Sequence, residues 1–128
     1  MKLLLDTHVW LWALHDPSQL GHHVRDVLRS PANELWLSPV STWEALSLNA
    51  KGRIRLPAHL SDWLTAATAA LQKAPLTHEI VLIAQQLPLP QPDPAHRFLA
   101  ATAQIMEITL VTADDSLLRL GTIRTMKN

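Results

Sequence analysis

A chain of 128 residues that is 48% apolar and 17% charged suits one domain with a buried core and is too apolar to be disordered. It contains no cysteine, which excludes disulfides, thiolate nucleophiles and Cys-ligated metal sites. Eleven basic residues balance eleven acidic ones, a ratio that argues against strong non-specific nucleic-acid binding. No apolar run approaches the ~18 residues of a membrane span, and the apolar start ends at Asp6, too early for a signal peptide. We therefore expect one cytoplasmic domain over residues 1–128.

The elements predicted in chain order alternate between strands and helices. Apolar runs predict strands over Lys2–Asp6, Glu34–Ser38, Pro75–Thr77, Ile108–Thr112 and Thr122–Thr125. Helical spacing and start signals predict helices over Thr7–Leu14, Asp16–Arg29, Ser41–Lys51, Leu60–Lys73, His78–Gln86, Asp93–Met106 and Ser116–Leu120. Strands separated by helices of this length predict an α/β fold, a three-layer α/β/α sandwich around a mostly parallel sheet.

Several of these helices have recognisable first turns. Asp-Pro pairs at residues 16–17 and 93–94 predict an N-cap followed by proline at the first helical position. Ser41 with Glu44 three residues later has the spacing of a capping box. Prolines 88, 90, 92 and 94 predict one proline-dense loop before the helix that Asp93 begins.

Acidic residues follow the predicted strands at the positions where α/β sheets bind ligands. Asp6 ends the first strand, Asp114 follows Ile108–Thr112, and Glu44 and Asp93 begin helices. Because ligands lie beyond the carboxyl ends of parallel strands, these side chains converge if the first strand lies beside Ile108–Thr112. Crowded carboxylates repel one another unless a cation joins them, and Mg²⁺ or Mn²⁺ suits oxygen ligands. On a phosphodiester, such ions activate water and stabilise the leaving oxygen.

Each of these acids except Asp6 has an equally simple structural interpretation. Glu44 fits a capping box, Asp93 fits an N-cap, and Asp114 with Asp115 fits a turn followed by an N-cap. Asp6 is harder to explain in this way, because a carboxylate directly after a buried strand is costly unless something pairs with it.

Four segments together resemble the PIN-domain family. They are LLDTHVWLWAL at the start, ELWLSPVSTWEALSLNAKGRIRLP, DPAHRFLAATAQ and TLVTADDSLL. They occur in the family's order and span nearly the whole chain. The chain is most similar to the branch of VapC-like toxins from bacterial toxin–antitoxin pairs. This resemblance implies a metal-dependent ribonuclease with an acidic site that uses Mg²⁺ or Mn²⁺.

The resemblance also assigns roles to individual residues. Asp6, Glu44 and Asp114 match the family's metal-site acids, while Thr7 and Thr112 match polar residues beside the site, where substrate binds. The resemblance further implies a homodimer, an RNA substrate, and a VapB-like antitoxin whose tail covers the site.

The third motif departs from the family pattern. Relatives usually read Asp-Pro-x-Asp-Arg, and their second Asp is a metal-site acid, whereas Asp93–Arg97 reads DPAHR with His96 in that position. Asp93 is retained and can lie beside His96 on the first turn of a helix. His96 then either supplies a nitrogen ligand, which favours Mn²⁺ or other transition metals, or binds no metal and leaves a weak or inactive site. Leu48 also stands where relatives often carry lysine.

Three hypotheses about function follow. The first is a metal-dependent RNA endonuclease in which Asp6, Glu44, Asp93 and Asp114 hold the ions. Arg97 then contacts a phosphate or, equally, forms a salt bridge. The second is a non-catalytic PIN-like module that binds RNA or a partner protein, which His96 favours. A haloacid-dehalogenase-type phosphotransferase ranks low, because His8 replaces the second Asp it requires, and no P-loop or G-x-G-x-x-G motif is present.

Overall fold

A five-stranded, entirely parallel sheet forms the centre of the computed structural model, which describes residues 1–90 and 93–128. Its strands are β1 (Lys2–Leu5), β2 (Glu34–Leu37), β3 (Gln72–Lys73), β4 (Thr109–Thr112) and β5 (Thr125–Lys127). They lie in the order β3-β2-β1-β4-β5. Because the chain builds β2 and β3 on one side of β1 and then β4 and β5 on the other, the strand order reverses between β1 and β4. Ligands bind at such a switch point in open α/β sheets.

Helices cover both faces of this sheet. The described residues form α1 (Thr7–His15), α2 (His22–Arg29), α3 (Pro39–Ala50), α4 (Leu60–Thr68), α5 (His78–Gln86), α6 (Pro94–Met106) and α7 (Asp115–Leu118). One hydrophobic cluster joins the sheet to α5, α6 and α7. A second joins it to α1, α2, α3 and α4. The predicted three-layer α/β/α sandwich is therefore confirmed, and every strand pair is parallel.

The central strand β1 anchors both clusters. Leu3 and Leu5 belong to one cluster and Leu4 to the other, as the alternation of side chains along a strand requires. All three are essentially inaccessible to solvent, and each contributes about 1.5–3 kcal/mol by its burial. Asp6 follows directly, so the strand that is buried on both faces fixes where this carboxylate stands. No helix within residues 1–90 and 93–128 is long and apolar enough to cross a membrane.

One predicted helix start is wrong, and one predicted helix is interrupted. α3 begins at Pro39, and its N-cap is Ser38, whose Oγ accepts from the Val40 N–H at 3.1 Å. The Ser38-Pro39 pair places the cap one turn before Ser41, so the predicted capping box does not form. The helix predicted from Asp16 to Arg29 is also interrupted, because residues 17–19 form a 3₁₀ turn and the chain becomes extended before α2 begins.

The sheet edges differ from the prediction as well. The third strand is Gln72–Lys73, not Pro75–Thr77, and α4 ends at Thr68 instead of continuing to Lys73. Although the Ala/Leu-rich sequence favours a helix, Gln72 and Lys73 pair with β2 and form an edge strand instead. The final strand is Thr125–Lys127, three residues later than predicted. Of the predicted proline-dense loop, Gln91 and Pro92 lie outside the described residues.

Candidate functional site

Strand pairing at the switch point brings the first and last acids of the predicted set to the same edge of the sheet. Leu5 in β1 pairs with Val111 in β4, and the Asp6 N–H donates to the Val111 carbonyl oxygen at 3.0 Å. Asp6 is also the N-cap of α1, and Asp114 is the N-cap of α7. The pairing of these two strands, which was the condition for the acids to converge, is therefore met. The N-cap is Asp114, one residue earlier than the turn and N-cap predicted for Asp114 and Asp115, so capping and a place at this edge are compatible.

Asp6 is the most buried acid of the site, with 3% of its surface exposed. Its Oδ1 accepts from the Thr7 N–H at 2.7 Å, and its Oδ2 accepts from the Thr112 hydroxyl at 2.6 Å. Thr112 Oγ1 in turn accepts from the Asp114 N–H at 3.0 Å. A buried carboxylate is costly without such partners. Thr112 therefore joins the two acids into one rigid arrangement.

Thr7 and Thr112 are both fully buried, although the resemblance associated them with substrate binding. The Thr7 hydroxyl donates to Ser41 Oγ at 2.9 Å, which ties the start of α1 to α3. Ser41 is likewise fully buried. The geometry therefore gives these hydroxyl groups the task of positioning Asp6 and the helices around it. The partnership of Thr7 with Ser41 was not foreseen, because Ser41 was interpreted as a helix cap.

His96 lies in the middle of three carboxylates. Its Nδ1 is 3.5 Å from Asp93 Oδ2 and 3.8 Å from Asp114 Oδ2, and its Nε2 is 3.9 Å from Asp6 Oδ2. Asp93 caps α6 by accepting from the Ala95 N–H at 3.0 Å, which places His96 on the first helical turn. The imidazole Nδ1 is buried and has no hydrogen-bond partner. The residue that departs from the family pattern is thus the one around which the acids gather.

Glu44 lies on α3 and presents a buried Oε1 that has no hydrogen-bond partner. It does not cap its helix, so the alternative interpretation as a capping-box residue is wrong. Among the described residues, Glu44 is not one of the acids within 4 Å of the His96 nitrogens. Leu48, one turn further along α3, packs against the cluster beneath α1 and α4, so an apolar side chain stands where relatives often carry a lysine.

Asp114 is held in its charged form by its own turn. Burial would raise the pKa of this carboxyl, but hydrogen bonds from the Ser116 hydroxyl and the Leu117 N–H, with the nearby His96, lower the pKa below its ordinary value. Ser116 was not identified from the sequence. The signal for it is the Asp-x-Ser spacing at the start of a helix, where a hydroxyl two residues after the cap can reach the carboxylate.

Arg97 is oriented away from ionic partners and toward the main chain. Its Nη1 donates to the carbonyl oxygens of Ala84 and Leu87, both at 3.0 Å, and its Nη2 donates to that of Leu89 at 2.9 Å. These carbonyls lie at the end of α5 and just beyond it. The guanidinium therefore fixes the start of α6, and with it His96, against α5. The sequence predicts a phosphate contact or a salt bridge for Arg97.

Comparisons with known proteins agree with this geometry. The PIN domain model matches residues 3–123, so the chain belongs to the PIN domain family. No curated protein matches the chain significantly in sequence. Among solved structures, the chain is similar to VapBC2 from Rickettsia felis bound to a promoter DNA fragment, with a TM-score of 0.73 at 15% identity over 99% of this chain and 98% of that one. DNA-bound VapBC from Salmonella typhimurium gives a TM-score of 0.73 at 14% identity, with the same coverage of both chains. FitAcB from Neisseria gonorrhoeae gives a TM-score of 0.65 at 18% identity, and the match covers 98% of this chain and 96% of that one.

PIN domains are generally nucleases that use divalent metal ions, and the donor atoms of this site suit such an ion. Three carboxylates and an unpartnered imidazole nitrogen meet at one place, and oxygen and imidazole donors both bind divalent ions. Within the described ranges, however, no three acidic or histidine side chains are arranged to hold an ion as they stand. The fit is therefore one of donor chemistry, and binding requires the side chains to adjust.

Proposed function

We propose that this PIN domain is a divalent-metal-dependent RNA endonuclease and acts as the VapC-like toxin of a toxin–antitoxin pair. The observation that carries the proposal is the convergence of Asp6, Asp93 and Asp114 on His96 at the switch point of the sheet. A PIN fold supports nuclease chemistry, and a cluster of carboxylates at this position supports the use of a cation.

The residues of the chain have separable tasks in this proposal. Asp6, Asp93, Asp114 and Glu44 would hold Mg²⁺ or Mn²⁺, with His96 among them. A bound divalent ion supplies activation of water and stabilisation of the leaving oxygen of the phosphodiester. Thr112 and the Thr7 N–H hold the Asp6 carboxylate fixed in direction, so that it is oriented before the substrate arrives.

The partners follow from the same reasoning. RNA is the substrate, a VapB-like antitoxin is the regulatory partner, and the protein works as a homodimer in the cytoplasm. Support for the antitoxin comes from the similar structures, which are those of VapBC2 from Rickettsia felis and VapBC from Salmonella typhimurium. The neutral net charge of the chain is consistent with recognition that depends on the site and not on a general attraction to nucleic acid.

The test is the variant Asp6→Asn, which keeps the shape of the side chain and removes its charge. We expect the rate of divalent-metal-dependent RNA cleavage to fall by about a hundredfold or more, the usual scale for loss of one electrostatic group in an active site. Asp62→Asn is the matched control, because Asp62 is an exposed acid on the first turn of α4. Its cleavage rate should equal that of the unmodified chain. Equal cleavage by Asp6→Asn and the unmodified chain, with folding verified by circular dichroism, would refute the nuclease mechanism.

A second candidate is a PIN-like module that binds RNA or a partner protein without cutting. It is favoured by the position of the His96 ring between the carboxylates and by the lack of a preformed three-residue metal group in the described part of the chain. Metal binding and RNA cleavage measured on the same preparation separate the two candidates. Tight RNA or antitoxin binding with no metal-dependent cleavage would support the binding module.

A further inference from the structure

We propose that His96 makes this site selective for a first-row transition metal ion, such as Co²⁺ or Zn²⁺, over Mg²⁺, by supplying a nitrogen ligand through Nδ1. This inference rests on the proposed function only in assuming that the acidic cluster binds a metal ion. It concerns which class of ion the site accepts and which atom selects it.

The unused nitrogen is the first argument. Neutral imidazole has one nitrogen that accepts and one that donates, and a buried nitrogen without a partner carries a desolvation cost. His96 Nδ1 is buried and unpartnered in the described structure, although the Asp93 and Asp114 carboxylates stand beside it. A metal ion bound between the nitrogen and these carboxylates would give this atom the partner it lacks.

The spacing of the donor atoms is the second argument. The separations from His96 Nδ1 to Asp93 Oδ2 and Asp114 Oδ2 are 3.5 Å and 3.8 Å. The nitrogen therefore already faces both carboxylates, and an adjustment of the side chains would bring all three onto one ion, since in the described structure they are not arranged to hold one as they stand.

The rigidity of the surroundings is the third argument. His96 lies on a capped helical turn, and the next residue, Arg97, ties that turn to three carbonyl oxygens. The ring is therefore held near the carboxylates. Of the three carboxylates, Asp93 has the most exposed side chain, at 38%, so it can adjust to an ion with the least disturbance. An Mg²⁺ ion, which prefers octahedral coordination by oxygen ligands, would gain little from the imidazole nitrogen.

The preference for transition metals then follows from the donor set. Affinity for a site with nitrogen donors rises across the first-row transition metals, and imidazole suits Zn²⁺, Cu²⁺ and Ni²⁺, whereas Mg²⁺ prefers carboxylate, carbonyl and water oxygens. Replacing the family's carboxylate with imidazole removes a negative charge and a hard oxygen together. The substitution thus lowers affinity for Mg²⁺ while it retains a ligand for the softer ions.

The experiment measures metal binding without RNA. The purified chain is titrated with Co²⁺ and with Mg²⁺. Binding is followed by the visible absorption of Co²⁺ and, for both ions, by the rise in Tm that a ligand of the folded state produces. We expect the unmodified chain to bind Co²⁺ at least tenfold more tightly than Mg²⁺. Equal affinities, or tighter Mg²⁺ binding, would overturn the proposal.

Two substitutions test the assigned atom. His96→Gln should weaken Co²⁺ binding by about tenfold or more, since even loss of an outer-shell partner costs 10–100-fold, and should change the absorption spectrum. His96→Asp should tighten Mg²⁺ binding and narrow the difference between the two ions. The control is the double variant His22→Ala, His23→Ala, which removes an exposed histidine pair and should leave Co²⁺ binding unchanged.

The results separate this inference from the proposed function. Selective Co²⁺ binding that depends on His96, in a chain that does not cut RNA, would uphold the inference and refute the nuclease. RNA cleavage supported equally by Mg²⁺ and Co²⁺ and unaffected by His96→Gln would uphold the nuclease and refute the inference. Loss of Co²⁺ binding in the His22/His23 control would also refute it, because the ion would then bind at the surface.

Discussion

Removal of the Thr112 hydroxyl should destabilise the fold, because this group joins the two acids at the switch point. Thr112→Val keeps the branched shape but removes the donor to Asp6 Oδ2 and the acceptor for the Asp114 N–H. A hydrogen bond to a charged group contributes about 1.5–3 kcal/mol, and a buried group left without a partner costs about 1–3 kcal/mol. We expect the free energy of unfolding to fall by about 2–4 kcal/mol, a large share of the ~5–15 kcal/mol typical of a domain.

The assay is urea denaturation followed by tryptophan fluorescence and, independently, by circular dichroism. Thr112→Ser is the matched control, because it retains the hydroxyl and loses only a methyl group, at a cost of about 1 kcal/mol. The reasoning would be refuted if Thr112→Val were as stable as the unmodified chain, or if serine at this position were no more stable than valine. An unchanged m-value would show that the loss arises in the folded state.

Two further predictions concern the chain outside the central acid pair. Glu107 ends α6 with a left-handed φ of 55°. Glu107→Gly should therefore stabilise the fold by about 0.5–1 kcal/mol in urea denaturation, while Glu107→Ala, which keeps the strain, should not. Ser116→Ala should raise the pKa of Asp114 toward its ordinary value, as measured by NMR titration of the carboxyl group. Because the folded-state pKa of Asp114 is lowered, the stability this group contributes is present above its unfolded pKa and is lost as pH falls through the folded one. The variant should therefore lose this contribution at a higher pH, and an unmoved Asp114 titration would exclude Ser116 as a cause.

The features that were predictable from the sequence are those that local chemistry decides. β1 and β4 are apolar runs that end at polar residues, and the Asp93-Pro94 pair marks the start of α6 because a cap and a fixed φ act within one turn. The same spacing predicted that Asp93 and His96 lie close together, as the 3.5 Å separation of their side chains shows. The rule that ligands lie beyond the carboxyl ends of parallel strands placed Asp6 and Asp114 at one edge of the sheet, whereas the pairing of β1 with β4 was only a condition of that prediction.

The features that the sequence did not predict depend on competition between neighbouring signals or on contacts with distant parts of the chain. Ser38 and Ser41 are both N-cap signals and lie within one turn of each other at the start of α3. Only the three-dimensional surroundings, where Ser41 accepts a hydrogen bond from Thr7 and Ser38 caps the helix, decide between them. The edge strand β3 forms because β2 offers it a partner, which no local propensity records. The carbonyl oxygens that receive Arg97 come from the end of α5 and the residues after it, so their approach cannot be deduced from the residues around position 97.

The order in which the chain is synthesised constrains when the acidic cluster can exist. The hydrogen bond from Thr112 to Asp6 joins residues 106 positions apart, and its strands are adjacent in the sheet although β2 and β3 lie between them in sequence. Asp93, His96 and Asp114 also belong to the last third of the chain. β1 therefore leaves the ribosome long before β4 and the side chains that complete the cluster have been synthesised. Parallel pairing between such distant strands is also slow to form. Until residues 112–114 have been synthesised, Asp6 has no Thr112 to hold it and no Asp114 carboxylate near it. The growing polypeptide consequently cannot assemble the site before residue 114 has left the ribosome.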